Sequence, residues 1–141
     1  MSGNEIEERL EHRGVKLTAM RLLVCQELEQ ARRPLSLREL EERMPTADRS
    51  TIFRTLTLLL QHHLIHAIED GSGALRYEVC ESDDHHLLDD QHIHFYCELC
   101  HRTFCFRETK IPQVDMPEGF QMSSINYMVK GLCPNCVIHT P

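Results

Sequence analysis

The chain has 141 residues, 41% of them hydrophobic, with seven cysteines, ten histidines and a formal net charge of −7. That length allows one domain or two very small ones, each with enough apolar residues for a core; no apolar run approaches the roughly 20 residues that span a bilayer. An acidic total argues against nucleic acid, but residues 1–66 hold ten Lys/Arg against ten Asp/Glu, and all the excess lies in 67–141, five against twelve.

Residues Asn4 to Arg13, with Ile6 and Leu10 four apart and Gly14 following, predict a short amphipathic helix. Thr18 caps a second helix whose apolar face is expected at Leu22, Leu23, Val24 and Leu28, ending at Arg32-Arg33-Pro34. Ser36-Leu-Arg-Glu39 is a capping box that opens a third helix carrying Leu37, Leu40 and Met44 and closing at Pro45. Asp48 opens the fourth, with a core stripe of Ile52, Leu56, Leu59, Leu60 and Leu64. Leu64 to Ile68 and Leu75 to Cys80, joined by Glu69-Asp-Gly-Ser-Gly73, predict a β-hairpin. Helices followed by a hairpin is the order of a winged helix.

The acidic stretch 81–91 reads as a linker. Beyond it strands are expected at His92 to Tyr96, Thr103 to Arg107 and Gln121 to Val129, and Pro112 and Pro117 argue against a long helix between them. The expected fold is therefore α+β: a winged helix-turn-helix domain over 1–80, then a small α/β or mostly β zinc-binding dimerisation domain over 92–141.

Cys97-Glu-Leu-Cys100 and Cys133-Pro-Asn-Cys136 read as two knuckles of a closed structural zinc site. Two intervening residues let one tight turn present both sulfurs to one ion, and zinc takes four thiolates tetrahedrally. Two disulfides are the alternative, which an odd cysteine count without a secretory segment disfavours; it predicts a reduced, cytoplasmic protein. Glu78 and Cys80 are two apart on one predicted strand and His92 and His94 on another, so each pair can point to one side. With His66 from the opposite hairpin strand they form a candidate second, regulatory metal site of mixed zinc-type ligands, against the plainer alternative of a merely His-rich region. Arg49, Ser50, Thr51 and Arg54 crowd the first turns of the helix before the hairpin, where a winged helix places its DNA reader.

From Gly14-Val-Lys-Leu-Thr-Ala-Met-Arg21, through Ser50-Thr-Ile-Phe-Arg54, Tyr77-Glu-Val-Cys80 and His92-Ile-His94-Phe-Tyr-Cys97-Glu-Leu-Cys100, to Cys133-Pro-Asn-Cys136, the chain resembles the ferric uptake regulator superfamily of bacterial metal-sensing repressors. The resemblance implies a homodimer that binds operator DNA, with a structural zinc and a regulatory metal at the hinge. It implies that Lys16 approaches the minor groove, Thr18 and Arg21 the backbone, and Phe53 and Arg54 the major groove. Pro34 and Cys105 stand where the iron-type branch usually has a histidine and a glutamate of the regulatory site. His66, Cys80, His92 and His94 match the set of the zinc uptake branch, so the resemblance points to zinc. A third site that many members carry is not implied, since Gln91, Ile93 and Ile125 occupy its positions.

An enzyme is the competing class. Zinc deaminases pair H-x-E with P-C-x-x-C and leave one metal position open for water, whereas this chain has H-x-H and C-P-N-C around a closed site. A protein-binding zinc ribbon is a further alternative, but it leaves Lys16, Arg21, Arg49 and Arg54 unexplained. Within the superfamily, iron, manganese, haem or peroxide sensing are alternatives to zinc.

Overall fold

In the computed structural model the described residues are 3–79, 93–106, 108–122 and 125–139, and the chain divides into two compact units, Met1–Glu81 and Ser82–Pro141. The fold is α+β. Cys80, the expected linker 81–91, His92 and Arg107 lie outside the described residues.

The first unit begins with helices α1 (Gly3–His12) and α2 (Ala19–Ala31). Thr18 caps α2 by accepting the Arg21 N–H, and Arg32 ends it in the left-handed region at φ 55°, two residues ahead of the proline that cannot continue a helix. The buried face of α2 is Val24, Cys25 and Leu28. Leu23, assigned to that face from sequence, is 45% exposed, and the small thiol of Cys25 takes an inward position instead. A two-residue strand, β1 (Leu35–Ser36), precedes α3 (Leu37–Arg43); it was not expected, being too short to show a period. Ser36 and Glu39 close the capping box reciprocally, each at 3.2 Å.

Helix α4 (Arg49–Gln61) follows α3 as the second helix of a helix-turn-helix, with Asp48 accepting the Thr51 N–H at 2.8 Å. Ile52, Leu56 and Leu59 bury completely or nearly so, joining Leu10, Val24, Leu35 and Leu40 in one core. Burying each such side chain contributes about 1.5–3 kcal/mol, which fixes the rotation of α4 and so the identity of its outer face. Strands β2 (Ile65–Glu69) and β3 (Leu75–Val79) form the wing hairpin, in the antiparallel order β1-β3-β2.

The second unit is a three-stranded sheet, β4 (Ile93–Cys97), β5 (Thr103–Phe106) and β6 (Tyr127–Gly131), followed by the short helix α5 (Pro134–Ile138). Its order is β5-β4-β6, with β4 antiparallel to β5 and parallel to β6. The last strand is shifted from the expected Gln121–Val129: among the described residues the chain pairs with β4 only from Tyr127 to Gly131, and Gln121 and Met122 stay outside the ladder. No helix occurs among the described residues between β5 and β6, and α5 was not foreseen. The mostly β expectation describes this unit.

Candidate metal and nucleic-acid sites

Strand β4 ends at Cys97, and the chain reverses at once: the Cys97 N–H donates to the Arg102 carbonyl at 3.0 Å and the His101 N–H to the Cys97 carbonyl at 2.9 Å. His101 sits in the left-handed region at φ 63°, the conformation that closes the turn. The parallel neighbour β6 delivers Gly131 beside Cys97, and the Glu98 N–H donates to the Gly131 carbonyl at 2.8 Å. A side chain at Gly131 would begin 3.3 Å from the Phe95 ring, so the close approach of the two strands favours glycine there. Two residues on, Cys133 stands at the N-cap of α5 with Pro134 pre-set for the first turn, and Cys136 follows within the helix.

The four thiols therefore converge from two turns held by one sheet. Their sulfurs all lie within 4.8 Å of one another, with Cys100 and Cys133 at 3.9 Å, and all six cysteines among the described residues are unbridged. Sulfurs at about 2.3 Å from a tetrahedral ion stand about 3.8 Å apart, so the cluster fits a four-thiolate ion and not a pair of disulfides. Burial pushes the Cys97 thiol up, but the N–H groups of Cys100, Cys133 and Leu99 outweigh it and hold the thiol down at about 6. Cys136 is pushed up to about 12, first by burial and then by the three sulfurs around it. Crowded sulfurs of this kind are a proton-rich cluster that a divalent cation would convert to thiolates.

The wing carries the next two candidate ligands. His66 and Glu78 are direct cross-strand partners, with His66 Nε2 and Glu78 Oε1 at 2.7 Å; Glu78 is buried and His66 half-buried. His94 lies on β4 in the second unit, buried, opposite Cys105 on β5 and Met128 on β6. Cys80 and His92, which complete the sequence-derived set, are not among the described residues.

On α4 the turn away from the core exposes Arg49, Ser50, Phe53 and Arg54, with Thr51 half-buried. Phe53 is 51% exposed, an aromatic ring among cations. The Thr51 hydroxyl and N–H bonds to Asp48, aided by Arg54, hold its carboxyl below the usual range, so the helix start stays capped by a charge. Arg54 reaches the Thr51 hydroxyl at 3.4 Å, and Arg49 is paired with Glu41 of α3 at 2.7 Å. Lys16 is exposed in the turn before α2, and Arg21 donates to its carbonyl at 2.7 Å, which orders the backbone that presents the lysine.

Sequence reasoning missed one constellation altogether. Arg76 on β3 is buried between Asp70 of the wing turn and Glu39 of the capping box, and Glu39 also receives Arg33 at 2.6 Å. Asp70 is fully buried and accepts the Ser72 N–H at 2.9 Å. The capping box identified Glu39, but nothing local announces a partner 37 residues away.

A family model described as the ferric uptake regulator family matches residues 12–127. The ferric uptake regulation protein of Synechocystis sp. is 27% identical over 147 aligned residues, covering 96% of this chain and 86% of that one. Among solved structures, the Vibrio cholerae ferric uptake regulator superposes with a TM-score of 0.64 at 19% identity, over 90% of this chain and 98% of that chain. A zinc uptake regulator complexed with zinc and DNA gives 0.64 at 22% identity, covering 97% and 93%. At such identities the structures bear on the fold alone.

Proposed function

The chain belongs to the ferric uptake regulator family, and from that membership we propose a metal-dependent transcriptional repressor that binds operator DNA as a homodimer when its regulatory site is filled. The observation that carries the reading is the outer face of α4, where Arg49, Ser50, Phe53 and Arg54 project from a helix whose opposite side is locked in the core. Arg can bond guanine bidentately, and Phe can contact a thymine methyl. Lys16, Thr18 and Arg21 would add phosphate or minor-groove contacts beside it. The family's members are regulators and not enzymes, and a cage of four protein sulfurs leaves no position for a reacting water.

Two metals per chain are proposed. Cys97, Cys100, Cys133 and Cys136 would hold a structural zinc that joins the two turns. His66, Cys80, His92 and His94, with Glu78 as a further carboxylate, would hold the regulatory ion, zinc, whose binding favours the DNA-competent arrangement across the 81–91 linker. A thiolate in the set favours zinc over manganese, because harder ions gain little from sulfur. A few kcal/mol of differential binding suffices for such a population shift. A cytoplasmic regulator of metal uptake genes is the biological setting proposed; among the described residues no helix is long and apolar enough to cross a membrane.

Iron sensing is the second reading, favoured by the imidazole–carboxylate pair of His66 and Glu78 and by a curated relative that is a ferric uptake regulation protein. The deciding experiment titrates zinc, ferrous iron and manganese against binding to DNA selected from a random pool. Zinc-stimulated binding that Cys80→Ala abolishes, with one zinc per chain retained, supports the zinc sensor. Stimulation by ferrous iron alone, or zinc stimulation indifferent to Cys80→Ala, moves the protein to the iron reading.

A further inference from the structure

We propose that the second unit docks a second copy of the chain through the aromatic face of its sheet together with the exposed segment 112–120; the inference rests on the homodimer of the reading above. Strand pairing sets Phe95 between Phe104 and Val129, and Ile93 between Phe106 and Tyr127. Side chains paired in this way stand on one face of a sheet. The ring of Phe95 lies 6.4 Å and 5.6 Å from those of Phe104 and Phe106, and toward β6 it comes within 3.3 Å of where a side chain at Gly131 would begin.

One chain covers this face incompletely. The cage takes one end, where Phe95 and Phe104 pack against Cys97, Cys133 and Cys136. Even so both rings are only half-buried, as are Phe106 and Tyr127, and Val129 is 46% exposed. A sheet buries its apolar face against another layer, and the five-residue α5 is the one helix among the described residues of this unit. The core is small as well, since the buried apolar side chains described in the unit are Ile93 and three cage cysteines. So small a unit draws its stability from metal or from association, and its outer side is built like a core cut in half.

The segment after β5 extends the surface. From Pro112 to Phe120 every residue is exposed, including Val114, Met116 and, at 70%, Phe120. The segment is nonetheless fastened: the Tyr127 hydroxyl, at the start of β6, donates to the Pro112 carbonyl at 2.6 Å, and the Phe120 N–H donates to the Pro117 carbonyl at 3.1 Å. Charge selects the occupant. The one Lys, Arg, Asp or Glu in the three strands is Lys130, which alternates with Val129 and so stands on the other face. In a two-fold interface a patch meets itself, so a charge near its centre would face its own kind, whereas uncharged apolar groups match. A nucleic acid or a charged peptide would find no counter-charge there.

Sedimentation equilibrium of the full-length protein, holding one zinc per chain, measures the association. The combined variant Val114→Ser, Met116→Ser, Phe120→Ser alters only side chains exposed in one chain, and it should raise the dimer dissociation constant about a hundredfold. Val129→Lys, which sets like charges against each other across the two-fold, should weaken the dimer comparably. Retained zinc and an unchanged far-ultraviolet circular dichroism spectrum establish that the variants are folded. Hydroxyl-radical labelling of the parent reads the same surface without substitution: Met116 and Phe120 should be protected where the dimer is populated and become reactive on dilution to monomer. A dissociation constant equal to the parent's in either folded variant, or labelling of Met116 and Phe120 indifferent to dilution, overturns the assignment while leaving the homodimer standing. A parent that stays monomeric across the whole concentration range overturns both.

Discussion

Arg76 and Glu39, 37 residues apart in the chain, form an ion pair that ties the central strand of the wing to the capping box of α3. Asp70 holds the other side of the same guanidinium, so the turn of the hairpin, its central strand and the start of the helix-turn-helix share one buried cation. Removing Arg76 leaves Asp70, fully buried, as an uncompensated charge. Arg76→Ala should therefore destabilise the head by roughly 3–5 kcal/mol, as expected when one member of a buried pair is deleted. Urea unfolding followed by circular dichroism measures this, and a loss below about 1 kcal/mol, the scale of an exposed pair, would refute it.

The same network predicts an acid limb. Burial raises the Glu39 carboxyl, but Arg33, the Ser36 N–H and Arg76 together bring it below 4.5. A depressed carboxyl stabilises the fold at pH above its unfolded value and loses that contribution as pH falls through its folded value. Stability should thus decline below pH about 4.5, and Glu39→Gln, already without the charge, should be less stable near neutrality and show a shallower decline. Parallel pH-dependent unfolding curves for the two proteins would contradict the assignment.

For DNA, Arg54→Ala should cost about 1–3 kcal/mol and relax sequence preference, whereas Lys16→Ala should weaken all sequences alike and reduce the salt slope by about 1. Arg49 behaves differently because Glu41 already engages it. Glu41→Gln should free that guanidinium and strengthen binding several-fold at low salt, an effect that shrinks as salt rises. Binding isotherms across a salt series check all three; equal slopes for parent and Lys16→Ala would place the lysine away from the phosphates.

Stripping the four-cysteine site should unfold the second unit. Cys97→Ser or Cys136→Ser removes a quarter of a cage that joins two turns, and metal analysis with hydrogen exchange over residues 93–139 should show loss of zinc together with loss of protection. Native-like protection in protein without zinc would show that the sheet stands on its own.

Much of the head was legible because its signals are local. Thr18, Ser36 with Glu39, and Asp48 each announce a helix start, and all three make the expected cap bonds. The cysteine spacing likewise foretold a cluster, since each knuckle is four residues long. What failed was set by distant partners. Leu23 and Cys25 could not be ranked from the periodicity of α2, because which side faces the core depends on what packs there. The residues ahead of Tyr127 read as extended, and extension says nothing about whether a neighbouring strand is in reach. The Arg76 network needed a hairpin, a capping box and a turn to be assembled first.

The parallel pairing of β4 with β6 brings Cys97 and Gly131 side by side and sends both cysteine turns off the same end of the sheet. An ion held there would close the chain from Cys97 to Cys136 into a ring, removing the freedom of that loop from the unfolded ensemble as a covalent bridge does, on the order of 4 kcal/mol for a loop of this length. Such a cross-link is indifferent to the reducing agents that open disulfides. Its integrity follows the supply of metal, so the scaffold of a metal-responsive protein would itself be assembled by metal.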